Sequence, residues 1–179
     1  MDAPAEQPAL SPTDRAAIAA ELGKPIPGVV RVAVRCASGH PCVVVNHPLR
    51  VVAGRVTPFP TLWWLTCPSL SQQLSCLERD GVIGRIEAEL LESPPLLEKL
   101  SSNHESCIRQ RLALLSDDDR RLAESAGVMD ALRTRGIGGQ ENFAAVKCLH
   151  MHYAQHRVEG NVIGRILDER YDLRCRDRE

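Results

Sequence analysis

The chain has 179 residues, with 22 Lys and Arg against 23 Asp and Glu, 44% hydrophobic residues and 25% charged ones. These are ordinary globular proportions, and they exclude a wholly disordered chain, a fibre and a polyanion-coating protein. Two each of Trp, Tyr and Phe are too few for a stacking platform on single-stranded nucleic acid, and no block of five like charges marks a nucleic-acid face.

In chain order, residues 1–11, MDAPAEQPALS, are rich in Pro and Ala and read as a disordered tail. Thr13 or Ser11 then caps a short helix, DRAAIAAEL, stopped at Gly23 with Pro25 and Pro27 behind it. Two Val-rich runs, residues 29–35 and 42–46, read as strands separated by Ser38-Gly39-His40-Pro41. Val30, Val32 and Val34 share one face of the first, which predicts a sheet covered on one side. Pro48, Gly54, Pro58 and Pro60 make residues 47–60 a loop or wide hairpin connection. Residues 61–66 form the third strand, and Pro68 or Ser69 opens a helix that runs to Gly81.

Beyond Gly81 the pattern is helical. Residues 82–92 form one helix and residues 96–115 a second, opened by Pro94 and Pro95. Ser116 caps a third, DDDRRLAESAGVMDALRTR, whose Asp run faces the positive end of the helix dipole. Gly136-Ile137-Gly138-Gly139 interrupts, read either as a helix stop or as a backbone approach to an anion beside Arg133 and Arg135. Asn142 caps FAAVKCLHMHYAQHRVEG, a weak helix follows within residues 161–171, and residues 172–179 form a charged tail. The sum is a single α+β domain over residues 12–171: a small N-terminal antiparallel sheet of about three strands packed against a mostly helical C-terminal part. No run approaches the ~20 apolar residues of a membrane span and no signal peptide opens the chain, so a cytoplasmic location without membrane contact is expected.

Seven cysteines, Cys36, Cys42, Cys67, Cys76, Cys107, Cys148 and Cys175, are an odd number and contain no C-x-x-C pair, so any metal site must be assembled from distant segments. On the predicted helix around residues 146–156, Cys148 and His152 lie about 40° apart, one turn from each other, as in a chelating pair. His150 falls roughly 160° from His152 and does not join the same ion. The alternative is a small core thiol and a satisfied core histidine. Cys67 sits where a strand turns into a helix, so the helix N-terminus favours its thiolate, the form that attacks electrophiles and binds metals; alternatively it packs under the helix start.

Three motif blocks resemble a known family. They are Arg35-Cys36 followed by Gly39, Pro41 and Val43; the run Phe59-Pro60-Thr61-Leu62-Trp63-Trp64-Leu65-Thr66-Cys67-Pro68; and Gly136-Ile137-Gly138-Gly139 leading to Val146-Lys147-Cys148-Leu149-His150-Met151-His152-Tyr153-Ala154. Leu77-Glu78-Arg79-Asp80-Gly81 and His104-Glu105 match lesser positions. Together they resemble the bacterial domain-of-unknown-function family 501, DUF501, over about residues 29–168. The resemblance supplies no reaction. It implies that Cys36, Cys67 and Cys148, with His104, His150 and His152, occupy motif positions, whereas Cys42, Cys76, Cys107 and Cys175 do not. Cys36, Cys67, Cys148 and His152 are the inventory of a closed zinc site, and the three cysteines alone could hold an iron–sulfur cluster.

Three functions follow as expectations. The ion is structural and the protein a binding or regulatory module; or the site is catalytic with His104 or His150 as acid or base; or no metal is bound and Cys67 is a reactive thiol. A protein partner or a small anionic ligand is compatible with each. His104 is expected to face the site, with Glu105 turned to solvent.

Overall fold

The computed structural model describes residues 10–175. Residues 1–9 of the expected N-terminal tail and 176–179 of the charged tail lie outside the described residues. Leu10 and Ser11 are part of the fold: Leu10 is buried with Ile18, and the Ser11 hydroxyl accepts the Asp14 amide to cap α1 (Pro12–Leu22).

The sheet contains β1 (Val29–Arg35), β2 (Pro41–Asn46) and β5 (Trp63–Leu65) in the order β1-β2-β5, all antiparallel. β2 is buried at all six positions, because both faces of the sheet are covered. Val43, Val45, Trp63 and Leu65 enter the main core with the helices, whereas Val44 and Trp64 meet Leu10, Ile18 and Val29 on the side of α1. The expectation of one covered face therefore fails. The alternation of β1 could not register a short helix closing the second side. Between β2 and β5, residues expected to form a loop or wide hairpin connection form a tight two-stranded hairpin, β3 (Leu49–Val52) with β4 (Arg55–Pro58). Its two-residue turn, Ala53-Gly54, places both residues at positive φ, 50° and 74°, matching the right-handed twist of the flanking strands.

The helices follow as α2 (Pro68–Arg79), α3 (Val82–Glu92), α4 (Pro94–Ala113), α5 (Asp117–Ser125), α6 (Met129–Thr134), α7 (Leu149–Glu159) and α8 (Val162–Arg170), with a 3-10 turn at Ile137–Gly139. A reciprocal capping box of Ser116 and Asp119 starts α5. The one helix predicted after Ser116 breaks at Gly127, whose φ is +68°. The helix predicted from Asn142 begins only at Leu149. Asn142 accepts the Ala144 amide at 3.0 Å through Oδ1 and the Ala145 amide through its carbonyl, and then Glu87 Oε1 accepts from Val146 N at 2.8 Å and Gln140 Oε1 from Lys147 N at 3.3 Å.

Arg111 of α4 has no exposed surface. Its guanidinium donates to the carbonyls of Pro60 at 3.0 Å and Leu132 at 2.6 and 3.1 Å, and also to that of Arg135. Burial holds its pKa below the usual arginine value. The guanidinium ties the approach to β5 to the end of α6 and the glycine turn that follows. That turn is built for close packing. A Cβ on Gly136 would fall 2.2 Å from His104 Nδ1, and one on Gly138 2.7 Å from Met151 Sδ. Arg133 pairs with Glu124 and Arg135 with Glu141, so the turn's two arginines are engaged with carboxylates.

No helix among the described residues is long and apolar enough to cross a membrane. Two glycine replacements test the packing. Gly136→Ala is expected to lose about 2–3 kcal/mol through overpacking against His104. Gly84→Ala, inside α3 with nothing within 4 Å of the new methyl, is expected to gain about 0.5–1 kcal/mol from reduced unfolded-state entropy. Urea unfolding of both variants measures the two opposite shifts.

Candidate metal centre

Cys148 is the N-cap of α7, with extended backbone at φ −162° and ψ 127°. It stands outside the helix, so the one-turn spacing expected of Cys148 and His152 on a shared helix face does not apply. The same displacement brings in His150, which the helical reading had set aside. Cys148 Sγ lies 3.3 Å from His150 Nδ1, and Glu78 Oε1 lies 3.1 Å from that same nitrogen. Glu78 Oε1, Cys148 Sγ and one ring nitrogen of His150 all fall within 4.8 Å of one another, a group that could hold a metal ion.

Each member is positioned by a different element. Glu78 comes from the last turn of α2, and its carboxylate accepts the Leu149 amide at 2.6 Å, placing negative charge at the positive end of α7. His150 Nε2 donates to the Ser71 carbonyl at 3.0 Å and lies 3.2 Å from Ser75 Oγ. A backbone carbonyl at Nε2 fixes the ring so that Nδ1 faces the thiol and the carboxylate. The contact with Cys148 pushes the His150 pKa up to about 9 against the opposing effect of burial, with the charges of Cys148 and Glu78 adding to it. The ring thus lies where a positive charge is favoured.

Beside this group opens a cleft of about 400 Å³. Cys148 and His150 form part of its wall with Phe59, Trp63, Trp64 and Met151.

Among the described residues, no three of Cys36, Cys67, Cys148 and His152 come within 4.8 Å of one another. Cys36 Sγ lies 3.2 Å from Ser38 Oγ and 3.3 Å from the His40 carbonyl. Cys67 Sγ lies 3.1 Å from Cys175 Sγ. His152 is buried, and its Nδ1 lies 3.4 Å from Asn161 Nδ2. Asn161 Oδ1 caps α8 through the amides of Ile163 and Gly164, so its Nδ2 must point inward and donate. With Nδ1 accepting from Asn161, the hydrogen of the neutral His152 ring sits on Nε2 and its one lone pair is already engaged. His104 is buried too: its Nδ1 accepts the Ile137 amide at 2.9 Å, and its ring stacks on Phe143 and meets His152 edge-on at 5.6 Å. Glu105 is exposed. The Nε2 atoms of both imidazoles are buried without a hydrogen-bond partner. Glu78 was legible only as a lesser motif position, and nothing in its spacing tied it to Cys148 across 70 residues of sequence.

Burial lowers the His104 pKa to about 4 and, joined by the charge of His104, lowers that of His152 to about 3. Both rings stay neutral in the folded chain and take up protons in the unfolded chain below about pH 6.5. Their contribution to stability is therefore present above about pH 6.5 and is lost as pH falls towards 4. Nitrogen-resolved NMR is expected to find both rings in the Nε2–H form, untitrated from about pH 8 down to about pH 5. A midpoint near 6.5 for either ring would contradict this account.

No curated protein and no solved structure matches the chain. A family profile described as "Protein of unknown function (DUF501)" matches residues 32–169. That span contains Glu78, Cys148 and His150 together with all the elements that position them, from β2 to α7. With most of its length inside the match, the chain belongs to the DUF501 family.

Proposed function

We propose that Glu78, Cys148 and His150 bind one zinc ion, and that the protein is a metal-dependent enzyme acting on a small molecule lodged in the adjoining apolar cleft. The observation that carries this reading is the approach of the three ligand atoms to within 4.8 Å of one another, with Cys148 and His150 on the cleft wall. Tetrahedral zinc, with Zn–S near 2.3 Å and Zn–N or Zn–O near 2.0–2.1 Å, separates sulfur from nitrogen by about 3.5 Å and nitrogen from oxygen by about 3.4 Å. The observed separations of 3.3 and 3.1 Å need only small adjustment. The donor set also fits: one thiolate, one carboxylate and one imidazole suit a borderline-soft ion, whereas an iron–sulfur cluster calls for several thiolates.

Three protein ligands leave a fourth position for water or substrate, which favours a catalytic over a closed structural centre. Zinc there would supply Lewis acidity to an electron-pair donor. The remaining work falls to the chain. Phe59, Trp63, Trp64 and Met151 exclude water and hold an apolar body. The Ser71 carbonyl keeps His150 oriented, and the Leu149 amide keeps Glu78 aimed at the centre. A second reading has one observation in its favour: the Cys148–His150 contact at a helix N-terminus also suits a nucleophilic thiol acting without metal.

Metal titration separates the two. The wild type is expected to take up about one equivalent of zinc, and cobalt in its place to show a sulfur-to-cobalt charge-transfer band. Cys148→Ser should abolish the band, and Glu78→Gln or His150→Gln should weaken binding at least about 10-fold. Cys76→Ser, on the outer side of α2 beside Arg79, should change nothing. A wild type that binds no zinc while Cys148 alkylates rapidly would replace the metal reading with the thiol one.

A further inference from the structure

We propose that Cys67 and Cys175 form a redox-active dithiol, oxidised by a hydroperoxide to an intramolecular disulfide that fastens the segment after α8 to the start of α2. This site is separate from the Glu78–Cys148–His150 centre and does not rest on the metal reading.

The geometry is built rather than incidental. Cys67 is the N-cap of α2, and no side chain caps the helix. The amides of Ser69 and Leu70 lower the thiol pKa there, as the positive end of a helix does for a thiolate beside it. Cys175 is carried to it by a docked segment. The Arg174 carbonyl accepts from Gln73 Nε2 at 2.8 Å and from Ser69 Oγ at 3.2 Å, while the Arg174 amide donates to Gln73 Oε1 at 3.3 Å. Tyr171 and Leu173 pack against the main core just before it. The two sulfurs then stand 3.1 Å apart, and a modest movement of the terminal segment brings them to the roughly 2.05 Å of a disulfide.

Two further thiols flank the pair, Cys42 against Cys67 and Cys36 against Cys175. Among the described residues, no three of these four sulfurs lie within 4.8 Å of one another. That absence of a three-sulfur cluster suits exchange between neighbouring thiols better than coordination of one ion. Interaction with Cys42 is the largest influence lowering the Cys67 pKa, to about 5, with the amides of Leu70 and Ser69 contributing against burial. The pKa of Cys175 is raised by burial and by Cys67. One thiolate and one thiol are the reactants that the chemistry requires.

The Cys67 thiolate attacks one oxygen of the hydroperoxide and the O–O bond breaks. The departing oxygen leaves with a proton as water or an alcohol, and Cys67 becomes a sulfenic acid. The sulfur of Cys175 then attacks the Cys67 sulfur and the S–O bond breaks. The proton of Cys175 leaves with the hydroxyl as water. Two electrons pass from the two sulfurs to the peroxide.

The test treats the full chain, thiols reduced, with one equivalent of hydrogen peroxide, followed by alkylation and peptide mass mapping. A Cys67–Cys175 linked peptide, two hydrogens lighter than its parts, is expected, with Cys76 and Cys107 still alkylated. Cys175→Ser should stop the reaction at a sulfenic acid on Cys67, trapped by dimedone, and Cys67→Ser should yield neither product. Modification at position 67 should run at least about 10-fold faster than at Cys76. Cys67 remaining a free thiol, or bridging only to Cys42, would overturn the proposal.

Discussion

A single buried guanidinium organises the ground on which the candidate centre stands. Arg111 has no exposed surface, and its recorded hydrogen bonds all run to carbonyls: Pro60, Leu132 and Arg135. A charge taken out of water is tolerated only where its donors are satisfied, so these three carbonyls cannot drift from α4 independently. Pro60 leads into β5 and the aromatic wall of the cleft. Arg135 leads into the glycine turn, whose Ile137 amide is accepted by His104 and whose Gly138 carbonyl accepts Lys147 Nζ at 3.1 Å. Lys147 is the residue before Cys148. The position of the thiol is thus inherited, contact by contact, from a buried arginine on another helix.

The regions around Cys67 and Cys148 share one device and differ in their surroundings. Cys67 and Cys148 are both N-caps in extended backbone without a side-chain cap, so each residue stands at the positive end of a helix. What lies next to each decides the chemistry. Around Cys148 stand an imidazole and a carboxylate, borderline and hard donors that with the thiol make a group that could hold a metal ion. Around Cys67 stand other thiols, which invite sulfur–sulfur bonding instead. α2 joins the two regions. Its first turn receives Cys67 and the segment at Arg174, while Ser71, Ser75 and Glu78 further along it face His150.

Carboxylates from neighbouring helices also decide where α7 begins. Glu87 takes the Val146 amide and Glu78 the Leu149 amide. Between Asn142 and Cys148, Asn142 takes the Ala144 and Ala145 amides while Glu87 and Gln140 take those of Val146 and Lys147, so these donors are satisfied without a helix. This moves Cys148 off the helix face and exchanges His152 for His150 as its neighbour. His152 is retained in the core by Asn161, which caps α8 with one end of its amide and reaches His152 and Gln155 with the other.

The amino-acid sequence by itself determined whatever depends on local pattern. It carried the α+β division, three strands of one sheet, the capping of α1 and α5, the strand-to-helix junction at Cys67 and the membership in DUF501, because periodicity, caps and motif blocks are written in consecutive residues. The tertiary structure alone decided which of seven cysteines meet which partners. Glu78 reaches Cys148 across 70 positions, and Cys175, in a segment with no periodic pattern, reaches Cys67 across 108. Contacts of that range are set by how helices dock and how buried amides and charges find their partners, a balance that no local spacing records.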